Sequence, residues 1–276
     1  MIQELGNTTL NNTIICNNSL SDNDIIFIFN ENNVIVSYNK QKLFPYRSEI
    51  KYKNDPIYLF SIDCQKYYLL LEDNYNIPDN FKYDNVRNIR RQSGINKTDL
   101  FSMFTAFHLY NWYISEKYCG KCGALNERAI NERAMHCKQC GNISYPRINP
   151  AVIVGITNGN QLLITRYARG RGVSFDTLVA GFTEIGETLE ETVKREVMEE
   201  VGLKVKNIRY YKSQPWGLSG TILAGFFCDV DGNDLITLDK NELSSAIWTD
   251  RKDICGQPDD MSLTNEMMIR FRDGDI

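Results

Sequence analysis

The chain has 276 residues, a formal charge of -4, and 42% hydrophobic against 24% charged residues. This is enough for one large domain, or two ordinary ones with a small module between them, in a soluble globular protein. The acidic balance excludes a protein that grips nucleic acid mainly by neutralising phosphates, and no run approaches the roughly 18 apolar residues of a membrane span, so no membrane partner is expected.

The first residues, MIQELGNTTLNNTIICNN, lack a basic stretch followed by an apolar core. They predict no signal peptide and a cytoplasmic protein. Residues 1–95 alternate short apolar runs (IIFIF at Ile25, VIVSY at Val34, YYLLL at Tyr67) with Asn/Asp-rich breaks, which predicts a small, mostly β domain. Residues 96–117 have no Gly or Pro and are apolar on nearly all sides, as a mostly buried connecting helix requires. His108 on this helix is expected to be a satisfied core or interface histidine rather than a ligand.

Residues 118–146 hold Cys119-x2-Cys122-x14-Cys137-x2-Cys140, with a glycine after Cys119, Cys122 and Cys140. Paired cysteines on two tight turns in a reducing compartment predict a structural Zn2+ site, because four thiolates close a tetrahedral shell and leave no position for water. His136 could compete as a ligand, but the shell is full without it. The segment between the pairs has few aromatics and balanced charge, a poor surface for stacking bases. The remaining cysteines, Cys16, Cys64, Cys228 and Cys255, are expected to be plain, partly buried thiols.

Residues 147–276 read as strand, turn, strand (AVIVGI, TNGNQ, LLITRY, with Asn158-Gly159 as the hairpin signal), then TLVAGF, a helix, three more strands and a last helix near Leu263 to Arg272. Strands mixed with helices predict an α/β sandwich. Within it, Thr188 and Glu191 form a capping box and Gly202 a stop, so residues 189–201 should be helical. Glu196, Glu199 and Glu200 share one face, while Leu189, Val193 and Val197 face the sheet. Glu190, Glu191 and Lys194 read as a solvated face. Three carboxylates within one turn repel unless a cation relieves them, and hard oxygens suit Mg2+ or Mn2+. Arg195 is expected to pair with Glu187 and fix the preceding loop.

The stretch from Gly181 to Leu203 resembles the Nudix box, G-x5-E-x7-R-E-U-x-E-E-x-G-U with U apolar: Gly181, Glu187, Arg195, Glu196, Val197, Glu199, Glu200, Gly202 and Leu203 fill the defined positions. The resemblance implies an α/β/α Nudix sandwich that hydrolyses a nucleoside diphosphate linked to another group. It implies catalytic metals on Glu196, Glu199 and Glu200, with the backbone carbonyl of Ala180 and the carboxylate of Glu242 as further ligands.

The four-cysteine ribbon, the YPR exit at Tyr145 to Arg147 and SQPW at Ser213 to Trp216 are similar to the NADH pyrophosphatase branch of that family. This implies cleavage of NADH or NAD+ to nicotinamide mononucleotide and AMP, possible removal of NAD caps from RNA 5′ ends, and a homodimer. The implied substrate contacts are Glu132, Tyr145, Phe182 and the loop Gln214, Pro215, Trp216, Gly217, Leu218, Ser219, Gly220 and Thr221. Phe182 suits stacking on a base or core packing equally well.

The usual SQPWPFPxS becomes SQPWGLSGT here, and Thr264 stands where a small alanine is common. Glycine adds the freedom that proline removes, so the loop should be less pre-organised. The other enzymatic reading is a preference for ADP-ribose or another dinucleotide. A non-catalytic zinc-ribbon nucleotide sensor is the reading from a different class, and the complete set of box glutamates speaks against it.

Overall fold

The computed structural model describes residues 1–14, 19–38, 42–72, 74–168 and 175–276. Cys16 lies outside them. The chain forms two compact units: Gln3–Arg147 with Gly217–Gly220, and Met1–Ile2 with Ile148–Trp216 and Thr221–Ile276. No helix among the described residues is long and apolar enough to cross a membrane.

In the first unit the strands are β1 (Leu10–Asn11), β2 (Ile25–Asn30), β3 (Asn33–Val36), β4 (Lys51–Tyr52), β5 (Ile57–Ile62), β6 (Gln65–Leu70), β7 (Tyr75–Asn76) and β8 (Lys82–Asn85), followed by helices α1 (Val86–Arg90) and α2 (Lys97–Ser115). Six strands pair in the order β1-β5-β6-β2-β3-β8. The run IIFIF is continuously apolar because both faces of β2 are covered. Ile26 and Ile28 join Ile35, Tyr68 and Leu70 on one side, while Phe29 stacks on Tyr110 and packs at a tilt against Phe107 of α2. That second layer explains why α2 is apolar nearly all round, with Leu100, Met103, Phe104, Phe107 and Trp112 all buried.

The ribbon follows as β9 (Glu127–Arg128), β10 (Met135–His136) and β11 (Ile143–Ser144), an antiparallel sheet with β10 in the middle. Of the scattered thiols, Cys228 is buried, but Cys64 and Cys255 are exposed, which corrects the expectation of partial burial. Cys64 lies in the tight turn between β5 and β6, and Cys255 in the irregular segment between Asp253 and Leu263.

The second unit contains β12 (Asn149–Asn158), β13 (Gln161–Tyr167), β14 (Val179–Phe182), α3 (Leu189–Val201), β15 (Val205–Trp216), β16 (Thr221–Val230), β17 (Leu243–Asp250) and α4 (Leu263–Asp273). The sheet runs β15-β16-β12-β13-β17, with β14 on β12, and only β12 and β16 are parallel. Alternation along β12 sets the three layers. Val152, Val154 and Ile156 meet Val193, Val197 and Val201 of α3, whereas Ile153 joins Leu263, Met267 and Phe271 of α4.

Two local expectations shift. Asn158 pairs with Gln161, so the β12–β13 turn is Gly159-Asn160, one residue later than Asn158-Gly159. The stretch around Trp216, read as a loop from Gln214 to Thr221, is half strand: Gln214, Pro215 and Trp216 pair with Leu223, Ile222 and Thr221, and only Gly217–Gly220 form the turn. β15 is an edge strand, where a proline's missing N–H is tolerated.

Candidate active site and metal centres

The ribbon cysteines are gathered by two knuckles of the same design. The Gly123 N–H donates to the Cys119 carbonyl (2.8 Å) and the Gly141 N–H to the Cys137 carbonyl (2.9 Å). The Sγ atoms stand 3.6 Å apart for Cys119 and Cys140 and 3.4 Å apart for Cys122 and Cys137. All four lie within 4.8 Å of one another. A tetrahedron of thiolates at about 2.3 Å from Zn2+ needs sulfurs about 3.8 Å apart, so the cluster fits a zinc ion with little adjustment. The N–H groups of Lys121 and Cys122 hold the Cys119 thiol down to about 6, favouring the thiolate. His136 is exposed on β10 and outside the cluster.

The glutamate face is built on α3. Thr188 and Glu191 cap the helix reciprocally and Gly202 closes it in the left-handed conformation (φ 68°). Val193, Val197 and Val201 are buried against the sheet, and Glu196 lies against Gly181 of β14. Glu196 is 9% exposed and Glu200 2% exposed, while the Glu199 side chain is 60% exposed. Gly181 on β14 is what admits Glu196: a Cβ at position 181 would lie 1.9 Å from the Glu196 Cδ. Burial pushes the Glu196 carboxyl up, Arg195 opposes this, and the charges of Glu199 and Glu242 add to the rise. The last effect brings Glu242, just before β17, into the electrostatic neighbourhood of the cluster.

Arg195 ties the site together. Its Nε donates to Glu187 Oε1 (2.6 Å) and its Nη2 to Glu187 Oε2 (3.0 Å) and the Phe182 carbonyl (2.8 Å). Its Nη1 donates to Glu196 (2.7 Å) and Glu199 (2.9 Å). The guanidinium holds Glu187 down to about 2, helped by the Glu184 N–H. This corrects the expectation that only a bound cation relieves the carboxylates, because Arg195 already neutralises two of them within the chain. Thr192, buried on α3, donates to Glu187 Oε2 (3.0 Å). Its role was not legible, since a threonine inside a helix carries no motif. A set of hard carboxylate oxygens in a pocket that only glycine leaves open fits a divalent cation such as Mg2+ or Mn2+.

Phe182 is 54% exposed, which removes core packing from its two readings. In the first unit Glu132 and Tyr145 are brought together, and the charge and hydrogen bond of Glu132 raise the Tyr145 phenol.

Gln214 is fully buried, donates to the Met261 carbonyl (2.8 Å) and accepts from the Leu263 N–H (2.7 Å). Its amide holds the start of α4 and does not face a ligand. Thr221 is likewise buried, while Pro215 and Ser219 are exposed and Trp216, Leu218 and Gly220 half-buried. Ala180 is half-buried on β14, paired with Ile153.

Residues 115–145 match the NADH pyrophosphatase zinc ribbon domain and residues 147–270 the NUDIX domain. The NAD-capped RNA hydrolase NudC of Enterobacter sp. (strain 638) is 43% identical over 140 residues, 51% of this chain and 54% of that protein. The enzyme of the same name from Actinobacillus succinogenes is 42% identical over 155 residues, 54% of this chain and 57% of that protein. The chain thus spans about half the length of the curated relatives it matches. A crystal structure of a NUDIX hydrolase from Nitrosomonas europaea shares the fold at TM-score 0.50 and 20% identity, covering 57% of this chain and 90% of that one. The box geometry, the cysteine cluster and these likenesses agree: residues 147–270 are similar to the NUDIX domain and residues 115–145, just before them, to the NADH pyrophosphatase zinc ribbon domain.

Proposed function

We propose that the protein hydrolyses the pyrophosphate bond of NADH or NAD+, adding water across the P–O–P bridge to give nicotinamide mononucleotide and AMP, and that it cleaves the same bond in NAD-capped RNA. The observation that carries this reading is the glutamate face itself, with Glu196 seated against Gly181 and braced by Arg195. A divalent ion, Mg2+ or Mn2+, would there offset the pyrophosphate charge and acidify a bound water. Glu196, Glu199 and Glu200 would hold it, with the Glu242 carboxylate and the Ala180 carbonyl. Arg195 keeps Glu196 and Glu199 in place before the ion binds. Zn2+ on Cys119, Cys122, Cys137 and Cys140 is structural.

The substrate side of the proposal uses the exposed ring of Phe182 to stack on a base, Pro215, Trp216, Leu218 and Ser219 to border the dinucleotide, and the Glu132–Tyr145 pair as ribbon contacts. The working assembly is a homodimer in the cytoplasm. The names of the curated relatives, NAD-capped RNA hydrolase, support the choice of bond and of the longer substrate.

The test compares turnover of NADH, NAD+, ADP-ribose, diadenosine diphosphate and NAD-capped RNA by the purified, zinc-loaded protein. The nicotinamide substrates should lead. A clear lead for ADP-ribose would overturn the substrate assignment.

A further inference from the structure

The turn Gly217–Gly220 departs most from the family's loop, and its place in the first unit explains its composition. Gly217 is buried, and a Cβ there would stand 2.0 Å from the Phe104 carbonyl oxygen and 2.6 Å from the carbonyl carbon. These are backbone atoms of α2 that cannot move aside, so only glycine lets the turn lie on the helix. One helical turn on, a Cβ at Gly220 (φ 64°) would stand 3.1 Å from His108 Nε2. Phe104 and His108 are spaced i, i+4 and share one face of α2. The two glycines are therefore a docking surface, and the expectation of a loosened loop is corrected: proline would fix the turn by stiffening it, whereas here glycine fixes it by close approach.

His108 has a second attachment. Its Nε2 is 2.8 Å from the Arg147 carbonyl, which can only accept, so the ring donates there. Arg147 lies two residues after Tyr145 in the ribbon exit. One imidazole thus bonds the ribbon exit and fills the space beside Gly220 of the hairpin turn, both of which the proposed function assigns to the dinucleotide.

We propose that His108 is a positioning residue for substrate: by bonding the Arg147 carbonyl and backing Gly220, it holds the Tyr145 segment and the turn after Trp216 at one fixed spacing. The proposal rests on the NADH reading for its substrate and on the first unit's geometry for its clamp, so the two can fail separately.

The experiment uses the full-length, zinc-loaded protein with His108→Leu, which keeps bulk and removes the donor, and His108→Gln, whose amide nitrogen can replace Nε2. Amide hydrogen exchange is read at residues 145–148 and 217–221, and steady-state kinetics on NADH in parallel. His108→Leu should raise exchange in both segments and raise KM about 10-fold with kcat within about 2-fold, and His108→Gln should recover most of both effects. Gly217→Ala, which leaves the histidine bond intact, should raise exchange in the turn and raise KM in the same direction, and it serves if His108→Leu does not fold.

Unchanged exchange in either segment of His108→Leu overturns the clamp. Raised exchange with an unchanged KM overturns the positioning role while leaving the proposed function standing. If the unaltered protein releases no AMP from NADH, the functional reading fails and the exchange data still decide the clamp.

Discussion

The cysteine ribbon and the glutamate face both gather like charges, by opposite means. In the ribbon, backbone knuckles bring four sulfurs within 4.8 Å. On α3, an arginine holds two carboxylates at 2.7 and 2.9 Å and a glycine opens the space for one of them. In the proposed function the first site keeps its ion, whereas the second, braced by Arg195, stands without one while metal and substrate exchange.

The largest effect should come from the ribbon. Cys137→Ser should lose zinc and unfold the ribbon, because structural zinc contributes on the order of 10 kcal/mol; metal content and exchange at residues 119–144 check this. A ribbon still protected without zinc would erase the contrast.

Next, Glu200→Gln should lower turnover on the order of 1000-fold while leaving zinc content and thermal midpoint nearly unchanged. Gly181→Ala should follow, costing about 1–3 kcal/mol of stability as its methyl displaces Glu196, with metal-dependent activity reduced in step. Thermal denaturation beside a metal titration separates the two losses.

The smallest effect is remote from both sites. The Arg209 guanidinium, with Asn207 and Thr157, holds Asp229 down to about 2 in the folded protein. A depressed carboxyl stabilises above its unfolded value near 4 and loses that contribution as pH falls through 2. Asp229 is about a third exposed, so Asp229→Asn should cost about 1 kcal/mol at neutral pH after solvent screening, and the difference should vanish below about pH 2. Urea denaturation at several pH values checks it.

Much of this was legible in the sequence wherever the determinants are local. The bounds of α3 follow from Thr188, Glu191 and Gly202, all within one segment, and the cysteine cluster follows from spacing alone. Long-range partners were not legible. Gln214 looked like a loop residue facing a ligand because Met261 and Leu263, which occupy its amide, lie far along the chain. Pro-Trp-Gly looked like a break because nothing local announces that β15 is an edge strand. The relief of charge by Arg195 was half visible: its pairing with Glu187 could be read, but its bonds to Glu196 and Glu199 depend on side-chain direction.

The most direct test is AMP release from NADH by the zinc-loaded protein as Mg2+ or Mn2+ is titrated, with Glu200→Gln beside it. Turnover should rise from background with added metal in the unaltered protein and stay near background in the variant. Turnover that is independent of added metal, or unchanged in Glu200→Gln, would contradict the assignment of the glutamate face as the hydrolytic centre.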